Sequence, residues 1–339
     1  MKKTWKAILV TLICVLLFGM TAAAASPTVA MIGKKKYTSL EAAYAKVKKG
    51  QTITLKRDIT VSDGLVFHRN VKFTLDLGKR TITCKNTDTA DIFVNKGNVT
   101  FKNGTIKGVV AVKKNATLNI SSGTYGQIMN LGTVTIKNAK LTRQDQAPLY
   151  NIGGKMTIQK ATVKSARGCI YISGGTVNIS GGTYNNTDVK NEMPLITLEK
   201  GTLTVSGGKF TSKDCVLFNY NGKATLKKGT FTSKAFCTII NSKSLVISGA
   251  TVNYTGTEYC GVYCQNGSST QIKKGTVKGK KMAVLVERGY KSFKLSGGKV
   301  TNSQKDMPPV CVNEKKSSKA SIKQKYISTP CALKVFYME

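Results

Sequence analysis

"GGTVNISGGTYNNTD", residues 174–188, writes the same Gly-Gly-Thr punctuation twice in one short stretch. Each glycine pair, Gly174-Gly175 and Gly181-Gly182, brackets apolar residues alternating with polar ones, as in Val177-x-Ile179. Such alternation marks a half-buried strand, and glycine pairs mark turns. One copy would be a corner and nothing more. The unit recurs, however, as GNVTFKNGTI, NATLNISSGTY, GTVTIKNAKL, GKMTIQKATV, GTLTVSGGKF, GKATLKKGTF and SFKLSGGKV. Its first inward apolar position falls at Val99, Leu118, Val134, Met156, Val177, Leu203, Ala224, Leu245, Thr270, Phe293 and Ala320. Ten steps span 221 residues, about 22 per step.

Each repeat holds three short extended pieces. The first follows the opening Gly and the second follows the next Gly, as in Thr183-Tyr184. The third precedes the following repeat, as in PLYN, CIYIS, CVLFN and CTIIN. Three short strands per period, joined by tight turns, describe one coil of a parallel β-helix. A sandwich or barrel would need antiparallel hairpins without the longer period. Asn95, Asn130, Asn151, Asn219, Asn241 and Asn266 all lie four or five residues before the next repeat's first apolar position. Asparagines at equivalent turns would bond one another's amides as a ladder.

The flanks differ. Lys2, Lys3 and Lys6 precede an apolar run from Ala7 to Met20 and small residues to Ala25, the pattern of a cleaved secretory signal peptide. Thr38-Ser39-Leu40-Glu41 reads as a capping box for a helix carrying Leu40, Ala43, Tyr44 and Val47 on one face. That helix would cover the open end of the solenoid. The expected organisation is therefore a signal peptide over 1–25, a linker over 26–36, an N-terminal cap over 37–68 (helix plus first strand) and the β-helix over 69–339.

The stretch YTSLEAAYAKVKKGQTITLKRDIT, then FTLDLGKRTIT and the GGT repeats, resembles the secreted right-handed parallel β-helix proteins of the pectate-lyase-like superfamily. It is most similar to the non-enzymatic, adhesin-like surface proteins of Gram-positive bacteria. The resemblance covers about residues 37–339. It implies an all-β, right-handed, single-stranded parallel β-helix of eleven or more coils, in keeping with the handedness of parallel crossovers. It also implies a secreted, extracellular or cell-wall-associated setting. Such a fold hosts lyases, hydrolases and plain adhesins, so function has to come from the site.

The charge is one-sided. Formal net charge is +37, from 53 Lys and Arg against 16 Asp and Glu. Only six of the bases are Arg: Arg57, Arg69, Arg80, Arg143, Arg167 and Arg288. Lysines are hydrated point charges, suited to diffuse attraction toward polyanions rather than to forked recognition of a base or phosphate. Partners are thus expected to be anionic polysaccharides or cell-wall polymers, with no specific nucleic acid and no membrane span once the leader is removed. Lys113-Lys114, Lys227-Lys228 and Lys273-Lys274 are the candidate contacts.

Complete catalytic motifs are missing. The one histidine, His68, has no acidic pair beside it, and the glycine pairs lack the Asp of a calcium-binding nonapeptide. No metal or cofactor is expected. The loops after the second strand hold most of the repeat region's acids: Asp88, Asp91, Asp145, Asp188, Glu192, Asp214, Glu258 and Asp306. Arg143, Lys164, Arg167 and Asp145 gather in successive coils there. A basic residue beside a carboxylate is the arrangement a polysaccharide lyase acting on uronate glycans would use. The preferred reading is a binding protein, with the lyase as alternative.

Two further expectations concern side-chain direction. Cys169, Cys215 and Cys237 fall at one position and read as buried free thiols acting as small hydrophobes. On the third strand, Leu149, Leu217 and Ile239 point inward. Tyr150, Phe218, Ile240, Ile172 and Val286 then point outward, an apolar stripe where the other sheets show Thr, Asn or Lys. A partner is expected on that face, either a second copy of the chain or sugar rings stacked on Tyr150, Phe218 and Tyr263.

Overall fold

The computed structural model describes residues 27–85, 90–186 and 193–338. The expected signal peptide, Asp88, Asp188 and Glu192 lie outside the described residues. The chain winds as a nearly all-β parallel solenoid of about 13 turns, 55% strand and 3% helix.

Three sheets run the length of the solenoid. In the first, all eleven inward positions read from the repeats pair in unbroken register, from Val99↔Leu118 to Phe293↔Ala320. Ten of them are buried, and Ala320 packs partly buried against the core. The second sheet points Leu141, Val163, Tyr184, Phe210 and Phe231 inward. Because like positions recur one strand spacing apart, identical chemistries stack. The ring of Phe210 lies 4.6 Å from Tyr184 and 4.7 Å from Phe231, nearly parallel to both. Outward positions of this sheet form a threonine row, Thr81, Thr105 and Thr124, continued by Thr162 and Thr183.

The Gly-Gly-Thr punctuation has a steric cause. Gly175 (φ +71°) and Gly182 (φ +108°) adopt left-handed conformations, and a Cβ on either would collide with backbone of the coil below, at Gly154 and Ala161. Corners of stacked coils leave room for a hydrogen atom only.

The asparagine ladder is real but shorter than expected. Asn130 donates to Asn151 at 2.7 Å, and Asn219 donates to Asn241 at 2.8 Å, all four fully buried. Ile172 and Leu198 separate the two pairs in the same row. Asn95 and Asn266 are out of phase, because Val94 and Cys264 take the ladder position in their coils. The turns differ in length between coils, so counting back from the next repeat misplaces them.

At the N-terminal end, α1 (Leu40–Lys46) buries Leu40, Ala43 and Tyr44. Its cap is Ser39, whose Oγ accepts from the Ala42 N–H at 3.0 Å, rather than Thr38. The segment expected to be a linker contains a hairpin, Ala30–Ile32 with Lys35–Tyr37, that pairs antiparallel with Thr52–Leu55. Parallel winding begins with that same strand, since Thr52–Leu55 pairs with Lys72–Asp76. The solenoid therefore starts within the region assigned to the cap.

Candidate functional site

The outward row of the third sheet is the least ordinary surface. Register carries it from Val66 through Phe93, Met129, Tyr150, Tyr171, Phe218 and Tyr263 to Phe336 without a break. No residue in the row is charged, and Thr197 is its one aliphatic hydroxyl. Leu149, Leu217 and Ile239 are buried on the inner side, as expected.

Two members of the expected stripe are corrected. Ile172 and Val286 are fully buried and pair in the row of Asn151 and Cys264, so they face the core. Their coils put Tyr171 and Leu285 outward instead. Ile240 keeps its outward place but is 4% exposed, covered by Phe218, Phe236 and the thiols Cys215, Cys237 and Cys260 in a small cluster outside the main core. The described cysteines are all free thiols. The close pair among them is Cys237 and Cys260, with sulfurs 3.4 Å apart.

Tyrosines of the row lean on the next coil. The Tyr150 hydroxyl faces Ser173, that of Tyr171 faces Glu199 and that of Tyr263 faces Glu287. Burial and then the facing carboxylate push the Tyr171 hydroxyl well above the ordinary phenol range. Burial and Glu287 push Tyr263 up to about 12. Both hydroxyls stay protonated at neutral pH and remain available as donors.

A cleft of about 800 Å³ opens along this row. Thr197, Phe218 and Ile240 form its floor. Met193 and Pro194, Lys213–Cys215 and Phe236 and Tyr259 wall one side, from the loops entering the sheet. Glu199 and Tyr220, just past the sheet, wall the other. Phe218 and Tyr220 stack at 3.7 Å, and Phe236 and Tyr259 meet at 4.2 Å with tilted rings. A smaller cavity of about 220 Å³ continues past Tyr171 to Tyr150, Arg167 and Asp145.

Of the residues singled out for lyase chemistry, only Arg167 and Asp145 line that cavity together. Arg143 is 8% exposed and holds Asp145 in a bidentate pair at 2.8 and 2.9 Å, with Gln127 at 3.2 Å on its remaining nitrogen. A guanidinium so engaged is a clamp and a poor base. Its hydrogen bonds keep the Asp145 carboxyl below the usual carboxylate range. Lys164 is exposed on the outward face of the second sheet.

The candidate lysines are dispersed. Lys113 and Lys114 occupy an exposed turn after the third sheet, with Lys113 Nζ 5.6 Å from the Phe93 ring centre. Lys227, Lys228, Lys273 and Lys274 are exposed at the corner between the first and second sheets. Tyr150, Phe218 and Tyr263 share one row, so the aromatic and lysine candidates form separate surfaces. Glu199, Tyr220, Phe236 and Tyr259 were not anticipated; they lie in turns whose side-chain placement the repeat period does not govern. Among the described residues, no helix is long and apolar enough to cross a membrane. No family model, curated protein or solved structure matches the chain.

Proposed function

We propose that the protein is a secreted or envelope-associated binding protein, adhesin-like, of the pectate-lyase-like superfamily. Its lysine-bearing faces attract anionic polymers, and the outward face of its third sheet holds glycan. The observation that carries this reading is the uncharged, largely apolar row running the whole solenoid. Every other outward row is rich in Thr, Ser, Asn or Lys. A strand apolar on both faces ordinarily meets another surface on each, and aromatic faces spaced at strand intervals suit stacked pyranose rings.

Replacing Tyr150 and Phe218 together by Ser tests it. Glycan retention should fall, and the melting temperature should change little because both side chains are only partly buried and lie outside the main core. Retention unchanged, or a large loss of stability, would refute the reading. The lyase alternative rests on Arg167 and Asp145 beside Tyr150. Incubation with uronate polymers decides it: the binding reading expects no unsaturated-sugar absorbance, and its appearance would establish the lyase.

A further inference from the structure

We propose that Cys237 and Cys260, with Met282 beside them, form a binding site for one soft monovalent metal ion, copper(I) foremost. This goes beyond the glycan reading and does not depend on it.

Sulfur runs along one row of the solenoid here. Cys215, Cys237 and Cys260 each stand two residues ahead of an inward position, at Leu217, Ile239 and Val262, and those positions pair in register. Cys260 pairs in turn with Met282 of the next coil. Three thiols and a thioether therefore recur at strand spacing, about 4.8 Å from coil to coil. They belong to the small cluster apart from the main core, where Phe218, Phe236, Ile240, Tyr263 and Leu285 pack around them. All three thiols are free, and the sulfurs of Cys237 and Cys260 lie 3.4 Å apart.

Geometry then decides the class of ion. Register-matched side chains in parallel conformations would hold their sulfurs one strand spacing apart, about 4.8 Å. Cys237 and Cys260 have turned toward each other, to 3.4 Å. An ion held linearly between two thiolates, with bonds of roughly 2.3 Å, needs the sulfurs about 4.6 Å apart. That separation falls between the two values, so side-chain rotation opens the site and the backbone ladder stays paired. Among the described residues, no group of three or more His, Cys, Asp and Glu could hold a metal. The four-ligand set of a structural zinc site is therefore missing, whereas a two-coordinate ion needs only the thiol pair, with the Met282 thioether as a weak third ligand. Thiolate and thioether sulfur favour copper(I). Burial sharpens the choice, because Cys237 and Cys260 are 2% and 0% exposed and stripping water from an ion costs more as its charge rises. Binding exchanges two S–H bonds for two metal–sulfur bonds. Two protons leave to solvent, the ion keeps its oxidation state, and the site gains one negative charge in a chain of formal net charge +37. Cys215, one coil away, lines the cleft over Phe218 and Ile240, which gives the ion its way in.

Anaerobic titration of the full chain with copper(I), in competition with the chelator bicinchoninate, tests the assignment. Cys331→Ser is the background, because it removes the one described thiol that is not buried. One equivalent of copper(I) should be retained, with a thiolate-to-metal absorption band in the ultraviolet. Silver(I) should compete for the same site, and zinc in ~100-fold excess should not displace copper(I). Cys237→Ser or Cys260→Ser should weaken binding more than about a hundredfold, and Met282→Leu about tenfold. Cys169→Ser, which alters a thiol in the main core, should leave it unchanged. Met282→Leu keeps the packing volume, so it reports on the site even where a serine variant fails to fold. Failure to retain one equivalent, binding that ignores all three substitutions, or zinc held as tightly as copper(I) would overturn the proposal. Recovery of Cys237 and Cys260 as a disulfide from the purified protein would overturn it as well.

Discussion

Replacing Asn219 by Ala should cost far more than the loss of one polar side chain. Its amide nitrogen donates to Asn241 Oδ1 at 2.8 Å, Ser244 O at 3.0 Å and Gly222 O at 3.2 Å, and its oxygen accepts the Gly222 N–H at 2.9 Å. Asn219 and Asn241 are fully buried, and Gly222 is buried. Truncation strands the Gly222 N–H, a penalty of about 1–3 kcal/mol, and removes what the two amide hydrogens donate, worth about 1 kcal/mol for each hydrogen. The expected loss is therefore about 3–5 kcal/mol. Asn219→Leu isolates the polar part, because Leu198 already fills the same row one coil earlier. Volume is then supplied and the backbone groups are not, so Leu should recover part of the loss and no more. Denaturant unfolding followed by far-ultraviolet circular dichroism reads these differences. A double-mutant cycle with Asn241→Ala should give a coupling of about 0.5–1.5 kcal/mol. An Asn219→Ala loss below about 1 kcal/mol would show that the ladder does not hold the turns.

Polyanion binding should fall steeply with ionic strength and with neutralisation of Lys227, Lys228, Lys273 and Lys274; retention unchanged in ~1 M NaCl would exclude a lysine-driven mechanism. Burial pushes the Cys169 and Cys264 thiols up to about 12. The folded protein should therefore alkylate first at Cys331, the one described cysteine that is not buried, and unfolding should be nearly insensitive to reductant. Reductant-sensitive unfolding, with Cys237 and Cys260 recovered as a linked pair, would contradict this. Asp145→Asn should lower the melting temperature at neutral pH. The difference should fade as pH falls through the lowered carboxyl value, because a depressed pKa contributes stability only while the group is ionised. A difference that persists unchanged at about pH 2 would mean that the ion pair is not its source.

Fold and site were legible to different depths. A strand buries every second residue and a coil returns to the same place, so the inward positions from Val99 to Ala320 could be read from spacing and all fall in register. Tyr150, Phe218 and Tyr263 were legible for the same reason. The slip at Ile172 and Val286 has a local cause. In their coils an aliphatic residue takes the inward place that asparagine holds elsewhere, so counting back from turn asparagines moved the pattern by one. A one-residue slip exchanges the two faces of a strand. The cleft walls were out of reach because Glu199, Phe236 and Tyr259 lie in corners of unequal length, where no period applies.

Hydroxyl-radical footprinting of the protein saturated with a bound glycan tests the binding face most directly. The expected result is protection of Tyr150, Tyr171, Phe218, Tyr220 and Tyr263, one side of the solenoid along its length, with Thr105, Thr124 and Thr183 on the second sheet unchanged. Protection on the threonine and lysine faces, with the third-sheet aromatics as reactive as in the free protein, would contradict it.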